Sequence, residues 1–248
     1  MRGSLEGLSL QGKNILITGS SRGIGAATAS LAKLYGAYVI LHGKTDSQSL
    51  RDLASRLNFN YIHCDVADEE AVQREVSRLG IIDILINNAG INPSKTFMES
   101  TNDDWRQIFE TNLLGIVNFS RAVIPGMQKR EQGKIINLAS IKGYNHIAGK
   151  PAYAVSKAAV MRLTSSMAEE LSPYGILVNA VAPGFTETEM TKGKWSKEIE
   201  KQVSQIPLRR MAKPGEIAEV VLFLASSRAS YITGQTIVAD GGYSLGKK

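Results

Sequence analysis

Tyr153 and Lys157 are the residues in this chain whose types and spacing best suit proton transfer. They stand four positions apart inside a segment of strong helical pattern, so their side chains emerge on one helix face. A phenol titrates near 10, and acid–base work at neutral pH asks for roughly 3 pKa units, or about 4 kcal/mol. An ammonium about 4 Å away supplies energy of that order at an effective dielectric of about 20. Ser140 lies upstream at the end of an apolar run, where open α/β sheets place ligand-binding groups. Asn112 sits earlier still, in Glu110-Thr111-Asn112-Leu113, within a long helical pattern. Taken singly, each has an ordinary explanation: a serine after a strand caps a turn, and an asparagine in a helix faces solvent or bonds back to it. Their joint order carries the signal.

A second constellation opens the chain. Thr18-Gly19-Ser20-Ser21-Arg22-Gly23-Ile24-Gly25 follows an apolar run and precedes the small residues Ala26, Ala27, Thr28 and Ala29. Glycines at a strand-to-helix turn let backbone approach a pyrophosphate, whose charge is stabilised by the helix N-terminus and its unpaired N–H groups. The spacing is Gly-x-x-x-Gly-x-Gly at positions 19, 23 and 25 rather than the common G-x-G-x-x-G. A carboxylate at the end of the next strand would bind a ribose 2′-hydroxyl and repel a 2′-phosphate. Leu41-His42-Gly43-Lys44 offers none, and Arg22 approaches from the glycine turn. Two cations around a dianionic phosphate favour NADPH over NADH, although Asp46 lies close enough to oppose them.

The elements that must position these groups alternate. Short β-branched runs at 14–18, 38–42, 60–64, 84–87, 134–139, 177–181 and 236–239 read as strands buried on both faces, and 24–34, 69–79, 103–129, 152–171 and 214–224 read as helices. This is the pattern of repeated βαβ units: an α/β, Rossmann-type, doubly wound domain with about seven parallel strands and helices on both faces. No linker or repeat divides residues 1–248, so one dinucleotide-binding and catalytic domain is expected. Residues 185–205 lack a strand pattern and read as a lid over the site, with Thr186, Glu187, Met190 and Trp195. Met1 to Ser4 read as an expression leader.

Composition bounds the partners. Hydrophobic residues make up 43% and charged residues 21%, ordinary globular values. The net charge of +6 is scattered without a basic run, which argues against nucleic acid. No apolar run is long enough to cross a bilayer, so no membrane partner is expected. A lone Cys64 forms no intrachain disulfide and points to a reducing, cytoplasmic setting. His42, His63 and His146 lack metal-ligand spacing, so no metal is expected; His146 borders the substrate region by position.

The glycine turn, Cys64-Asp65-Val66, Asn87-Asn88-Ala89-Gly90, Asn112, Ser140, Tyr153 with Lys157, and the ending Ile232-Thr233-Gly234-Gln235 with Asp240-Gly241-Gly242 together resemble the short-chain dehydrogenase/reductase family, from Gly12 to Gly242. The resemblance implies hydride exchange between NADP(H) and a carbonyl or secondary alcohol. Tyr153 would be the proton donor, Lys157 the ribose ligand that depresses the tyrosine pKa, Ser140 the holder of the substrate oxygen, and Asn112 the anchor of a proton-relay water. Asp65 and Val66 would flank the adenine, Asn88, Ala89 and Gly90 would pass beside the ribose, and Pro183, Gly184 and Thr186 would meet the nicotinamide carboxamide. Within the family the chain looks most like 3-oxoacyl-(acyl-carrier-protein) reductases, whose carbonyl substrates ride on an acidic carrier. Sugar or polyol dehydrogenases of the same family are the alternative, and a non-catalytic NADPH-binding sensor is the reading from another class. The resemblance also implies a homotetramer, joined through the two long helices and the C-terminal strand region.

Overall fold

The computed structural model describes residues 9–144, 149–189 and 197–246. The expected leader, His146, Met190 and Trp195 lie outside those residues. Seven strands, β1 (Asn14–Ile17), β2 (Tyr38–Gly43), β3 (Tyr61–His63), β4 (Ile84–Asn87), β5 (Gly133–Leu138), β6 (Ile176–Pro183) and β7 (Thr236–Ala239), form one sheet. Its order is β3-β2-β1-β4-β5-β6-β7, and every pairing is parallel. The strand order reverses between β1 and β4, which opens a crevice at their carboxyl ends.

Helices cover both faces: α1 (Gly23–Leu34), α2 (Gln48–Leu57), α3 (Glu69–Ser77), α4 (Asn102–Phe109), α5 (Gly115–Lys129), α6 (Pro151–Leu171), α7 (Lys197–Ser204) and α8 (Pro214–Ala225). Because alternate strand residues point to opposite faces, Ile15 and Ile17 pack with Leu50, Val221 and Leu222, while Leu16 between them packs with Val72, Phe119 and Met127. Each face therefore has its own apolar core, which explains why the strands read as unbroken apolar runs.

Three elements differ from the sequence reading, and one of them is α7, which forms within the stretch 185–205 that showed no regular pattern. Helix α2 was not expected, yet Ser47 caps it by accepting from the Leu50 N–H, and Leu50, Leu53, Ala54 and Leu57 bury one face against the sheet. The helix expected at 103–129 is not continuous. It is broken by a π-helical turn at Glu110–Leu114 that carries Asn112, between α4 and α5. Such a turn inserts a residue into the helical ladder and frequently marks a functional position. Below the crevice a buried polar line fixes its floor to α6: the Asn87 amide donates to Asn137 Oδ1 at 2.9 Å, and the Asn137 amide donates to Thr164 Oγ1 at 3.0 Å.

Candidate active site

The carboxyl ends of the strands open into a cleft of about 1190 Å³. Tyr153, Lys157 and Ser140 line it together; Asn112 does not. Tyr153 and Lys157 share one face of α6, with the Lys157 ammonium 5.9 Å from the phenol ring centre. The lysine is buried and donates to the Leu138 carbonyl at 2.6 Å. Burial pushes its pKa down to about 8. Burial also raises the Tyr153 phenol above its ordinary 10, against a hydrogen bond with Ser140 that pulls it down. In the chain alone the phenol is not depressed: its burial outweighs the Ser140 bond, and the Lys157 ammonium is engaged by a carbonyl. Ser140 itself sits at the start of a short 3-10 turn, its hydroxyl accepting from the Lys142 N–H at 3.2 Å.

Asn112 stands behind the cleft lining rather than in it. Its fully buried side chain accepts from the Ile91 N–H at 2.8 Å and donates to the Ile91 carbonyl at 3.0 Å and to Ser156 Oγ at 3.1 Å. The amide ties the segment after β4 to α6 between Tyr153 and Lys157. Gly90 fills the space between these groups. A Cβ there would stand 3.2 Å from Asn112 Oδ1 and 3.6 Å from Lys157 Nζ.

The glycine turn faces the same cleft through Gly19, Ser21, Arg22, Gly23 and Ile24, whereas Gly25 is a packing residue. A Cβ on Gly25 would lie 2.6 Å from the Gly19 carbonyl. Gly19 and Gly23 adopt φ of +61°, which glycine alone takes without strain, and Gly23 has no backbone within van der Waals reach of its missing Cβ. Asn88 braces the turn, its amide donating to the carbonyls of Thr18 at 3.0 Å and Gly19 at 2.8 Å, while Thr18 Oγ1 accepts from the N–H groups of Asn88 and Ala89. Helix α1 has no acidic residue in its first turn and no side-chain cap, whereas Ser47, Asp68 and Thr101 cap α2, α3 and α4. Bare N–H groups at a positive helix end, open to a cleft, fit a pyrophosphate. The residues present therefore suit a dinucleotide.

At the far end Lys44, Asp65 and Val66 line the cleft. Lys44 and Asp65 form an ion pair of 2.6 Å with the lysine side chain 70% exposed. Burial would raise the Asp65 carboxyl, but hydrogen bonds from Lys44 and the Ala67 N–H hold it below its usual range. Asp46 is turned toward Arg51 at 3.0 Å and accepts from the Tyr61 hydroxyl. Opposite, Pro183, Gly184 and Thr186 also line the cleft, and Gly184 is pressed against Asp240, where a Cβ would come within 2.7 Å of the aspartate Cα. From the expected lid, Phe185, Lys201, Gln202 and Gln205 border the opening.

Sequence reasoning gave no site role to three residues that the fold brings to the cleft or its turn. His42 was weighed only as a metal ligand. It is buried, and its Nδ1 accepts from the Gly19 N–H at 3.2 Å while Nε2 donates to the Cys64 carbonyl at 3.1 Å, so the imidazole anchors the first glycine to β3. Burial pushes its pKa down to about 4, and it is neutral at physiological pH. Lys142 and Asn92 also line the cleft. No period or motif marks them; only the folded loops bring them there.

Comparison with known proteins agrees with this geometry. Residues 19–244 match a family described as enoyl-(acyl carrier protein) reductase. The 3-oxoacyl-(acyl-carrier-protein) reductase of Vibrio cholerae is 41% identical over 241 residues, covering 95% of this chain and 98% of its own. A solved 3-oxoacyl-(acyl-carrier protein) reductase from Brucella melitensis with bound NAD superposes with a TM-score of 0.88 at 33% identity, covering 95% of this chain and 92% of its own. A gluconate 5-dehydrogenase from Burkholderia cenocepacia, in complex with NADP and tartrate, gives 0.93 at 32% identity over 97% of this chain and 98% of its own. The chain belongs to the short-chain dehydrogenase/reductase family. It is an oxidoreductase acting on a carbonyl or its alcohol with a nicotinamide cofactor.

Replacing His42 with leucine leaves the Gly19 N–H and the Cys64 carbonyl without partners. We expect the Kd for the dinucleotide, read by nicotinamide fluorescence, to rise about tenfold or more, the effect of one buried unsatisfied donor. Wild-type stability should also fall as pH drops from about 6.5 to about 4. In that window the unfolded chain takes up a proton on His42 that the folded chain refuses, a loss of about 3 kcal/mol. Thermal melts of His42→Leu lacking this acid dependence support the assignment, and an unchanged dependence refutes it.

Proposed function

We propose that this chain reduces the 3-carbonyl of 3-oxoacyl thioesters using NADPH, with Asn112, Ser140, Tyr153 and Lys157 as its working residues. The observation that carries the reading is the Tyr153 oxygen, hydrogen-bonded to Ser140 and one helical turn from a buried ammonium, in the cleft where α1 presents its uncapped N-terminus. When bound, the cofactor supplies the hydride that reaches the carbonyl carbon. Tyr153 gives its proton to the carbonyl oxygen as negative charge develops there, and a phenol raised above 10 stays loaded with that proton through neutral pH. Ser140 donates to the same oxygen, and afterwards to the phenolate. Lys157 stabilises the phenolate by its charge, and Asn112 positions α6 through Ser156. The names of the similar reductases support a carrier-bound acyl substrate. A sugar or polyol substrate is the second reading, favoured by the likeness to a gluconate 5-dehydrogenase and by the polar Asn92, Ser94 and Gln107 in the cleft.

Preference for NADPH rests on Arg22 at the start of α1 and Lys44 just after β2, both lining the cleft, with Asp46 drawn away by Arg51. The half-exposed pair of Lys44 with Asp65 is weak enough, at about 1 kcal/mol or less for such pairs, for a 2′-phosphate to compete for the lysine. We further propose one domain with residues 185–205 as its lid, a cytoplasmic setting, and a homotetramer. Exposed apolar side chains support the assembly: Leu114 and Val155 near the long helices, and Val238 on the edge strand β7.

Tyr153→Phe should bind NADPH as the parent does while turnover of an acetoacetyl thioester falls about a thousandfold, since only the acidic hydroxyl is lost. Undiminished turnover removes the tyrosine from the mechanism. The kcat/KM for reduction should decline as pH rises through about 8, where Lys157 gives up its proton. A profile flat to pH 10 contradicts a charged lysine. Arg22→Ala combined with Lys44→Ala should cut the NADPH-over-NADH ratio of kcat/KM at least about tenfold, the worth of a charge-assisted contact; an unchanged ratio places the selection elsewhere.

A further inference from the structure

Lys142 is tied to Ser140 through its backbone, whose N–H donates to the serine hydroxyl at 3.2 Å in the 3-10 turn Ile141–Gly143. From there its side chain lines the cleft, with Nζ over the Phe185 ring, 5.8 Å from the centroid, and Tyr243 edge-on to Phe185 at 5.1 Å. Among the described residues no carboxylate or carbonyl engages that nitrogen. Burial, with repulsion from Lys150 second, pushes its pKa down to about 8, so a sizeable share is free amine near neutral pH. Lys157 is lowered to about 8 as well, but its nitrogen is taken up by the Leu138 carbonyl at 2.6 Å. A lysine that has lost its proton in a partly dry cleft is a nucleophile, and the reduction leaves this one without a task. The substrate class proposed above carries a matching electrophile. Two carbons along the chain from the ketone stands the thioester carbonyl, with a thiolate as its leaving group.

We propose that Lys142 is a site of self-acylation, at which the protein takes the acyl group of a thioester bound in its own cleft onto the lysine nitrogen. The inference rests on the thioester reading and adds a covalent modification to it. The step follows when the Ser140 and Tyr153 hydroxyls hold the carbonyl beside sulfur in place of the ketone. The Nζ lone pair adds to the thioester carbon, an N–C bond forms, and the π pair moves to oxygen. The carbonyl then re-forms as the C–S bond breaks, and the proton given up by nitrogen goes to the departing thiolate. An amide and a free thiol result, with nothing oxidised or reduced. The amide has no charge to set against Phe185, and its acyl chain occupies room that the next substrate needs, so turnover falls.

The test incubates the full-length protein, without nucleotide, with the butyryl thioester of N-acetylcysteamine, which has no ketone to reduce, and follows adducts by peptide mass spectrometry. The butyryl group should reach Lys142 at least about tenfold faster than Lys44, whose side chain is 70% exposed, because the buried amine is more often neutral and is held beside the thioester. The rate at Lys142 should saturate with thioester concentration. Lys142→Arg should lose this adduct, and its dinucleotide binding, read by nicotinamide fluorescence, reports that it folds. After removal of excess thioester, NADPH oxidation by the parent with an acetoacetyl thioester should fall in proportion to the fraction acylated at Lys142. Acylation spread evenly over the lysines, with a rate linear in thioester, overturns the site, as does full activity in protein acylated there. NADPH oxidation without any Lys142 adduct overturns the acylation and leaves the reductase intact. An adduct at Lys142 in a protein that oxidises no NADPH supports the acylation and overturns the reductase reading, and the absence of both overturns both.

Discussion

Keeping an ammonium charged in a nearly dry place is the constraint around which this site is built. Lys157 is 5% exposed, and an ion withdrawn from water loses several kcal/mol of hydration unless something replaces it. The fold answers with a carbonyl, Leu138 at 2.6 Å, rather than with a carboxylate. A carboxylate would hold the charge more firmly and also neutralise it. A carbonyl dipole restores part of the solvation and leaves the net charge available to a phenolate one turn away. Gly90 belongs to the same solution, since a Cβ there would crowd Asn112 Oδ1 and touch Lys157 Nζ. The π turn brings Asn112 to the segment after β4 from the opposite side, and its amide then locks that segment to α6.

The phosphate end follows the reverse logic. Helices α2, α3 and α4 satisfy their first N–H groups with Ser47, Asp68 and Thr101, whereas α1 leaves its own to the cleft. An uncapped helix start costs on the order of 1 kcal/mol, a loss that an anion recovers when it binds. Holding such a loop open without a ligand requires other supports. Asn88, Thr18 and the neutral imidazole of His42 provide them, each bonding backbone of residues 18–19 or of the segment after β4 rather than the α1 amides themselves. The imidazole serves here because burial keeps it uncharged: protonated, it would have no acceptor for Gly19.

How much of this was legible in the sequence depended on whether a feature is local. Strands read correctly because burial on both faces leaves unbroken apolar runs, and the glycine turn read correctly because its backbone demands are written in consecutive residues. Tyr153, Lys157 and Ser140 were recoverable from one helical turn and one strand end. Helix α2 was legible in principle, since Leu50, Leu53, Ala54 and Leu57 fall at the helical period, but it is short and its polar face is wide. The π turn was not legible: Glu110 to Leu114 carry ordinary helical residues, and the extra residue is accommodated by contacts with Ile91 and Ser156, remote in sequence. The pKa of Tyr153 failed for a related reason, because pairwise Coulomb reasoning included the ammonium and omitted the desolvation of the phenol.

Charge shows the same divide between composition and place. Scattered lysines and a net charge of +6 read as a solvated basic surface, and for most of them that is what the fold makes. Lys44 and Lys142 differ from each other in how far they keep their water. Lys44 keeps 70% of its side chain in water and pairs with Asp65, an arrangement that forms and breaks at little cost and so yields readily to a stronger anion. Lys142 has given up much of its water to lie against Phe185, an arrangement whose cost a ring face offsets only in part. A cation in water selects weakly among anions, because solvent supplies most of what a ligand would. A cation stripped of water gains most from the ligand that replaces it, and so it discriminates.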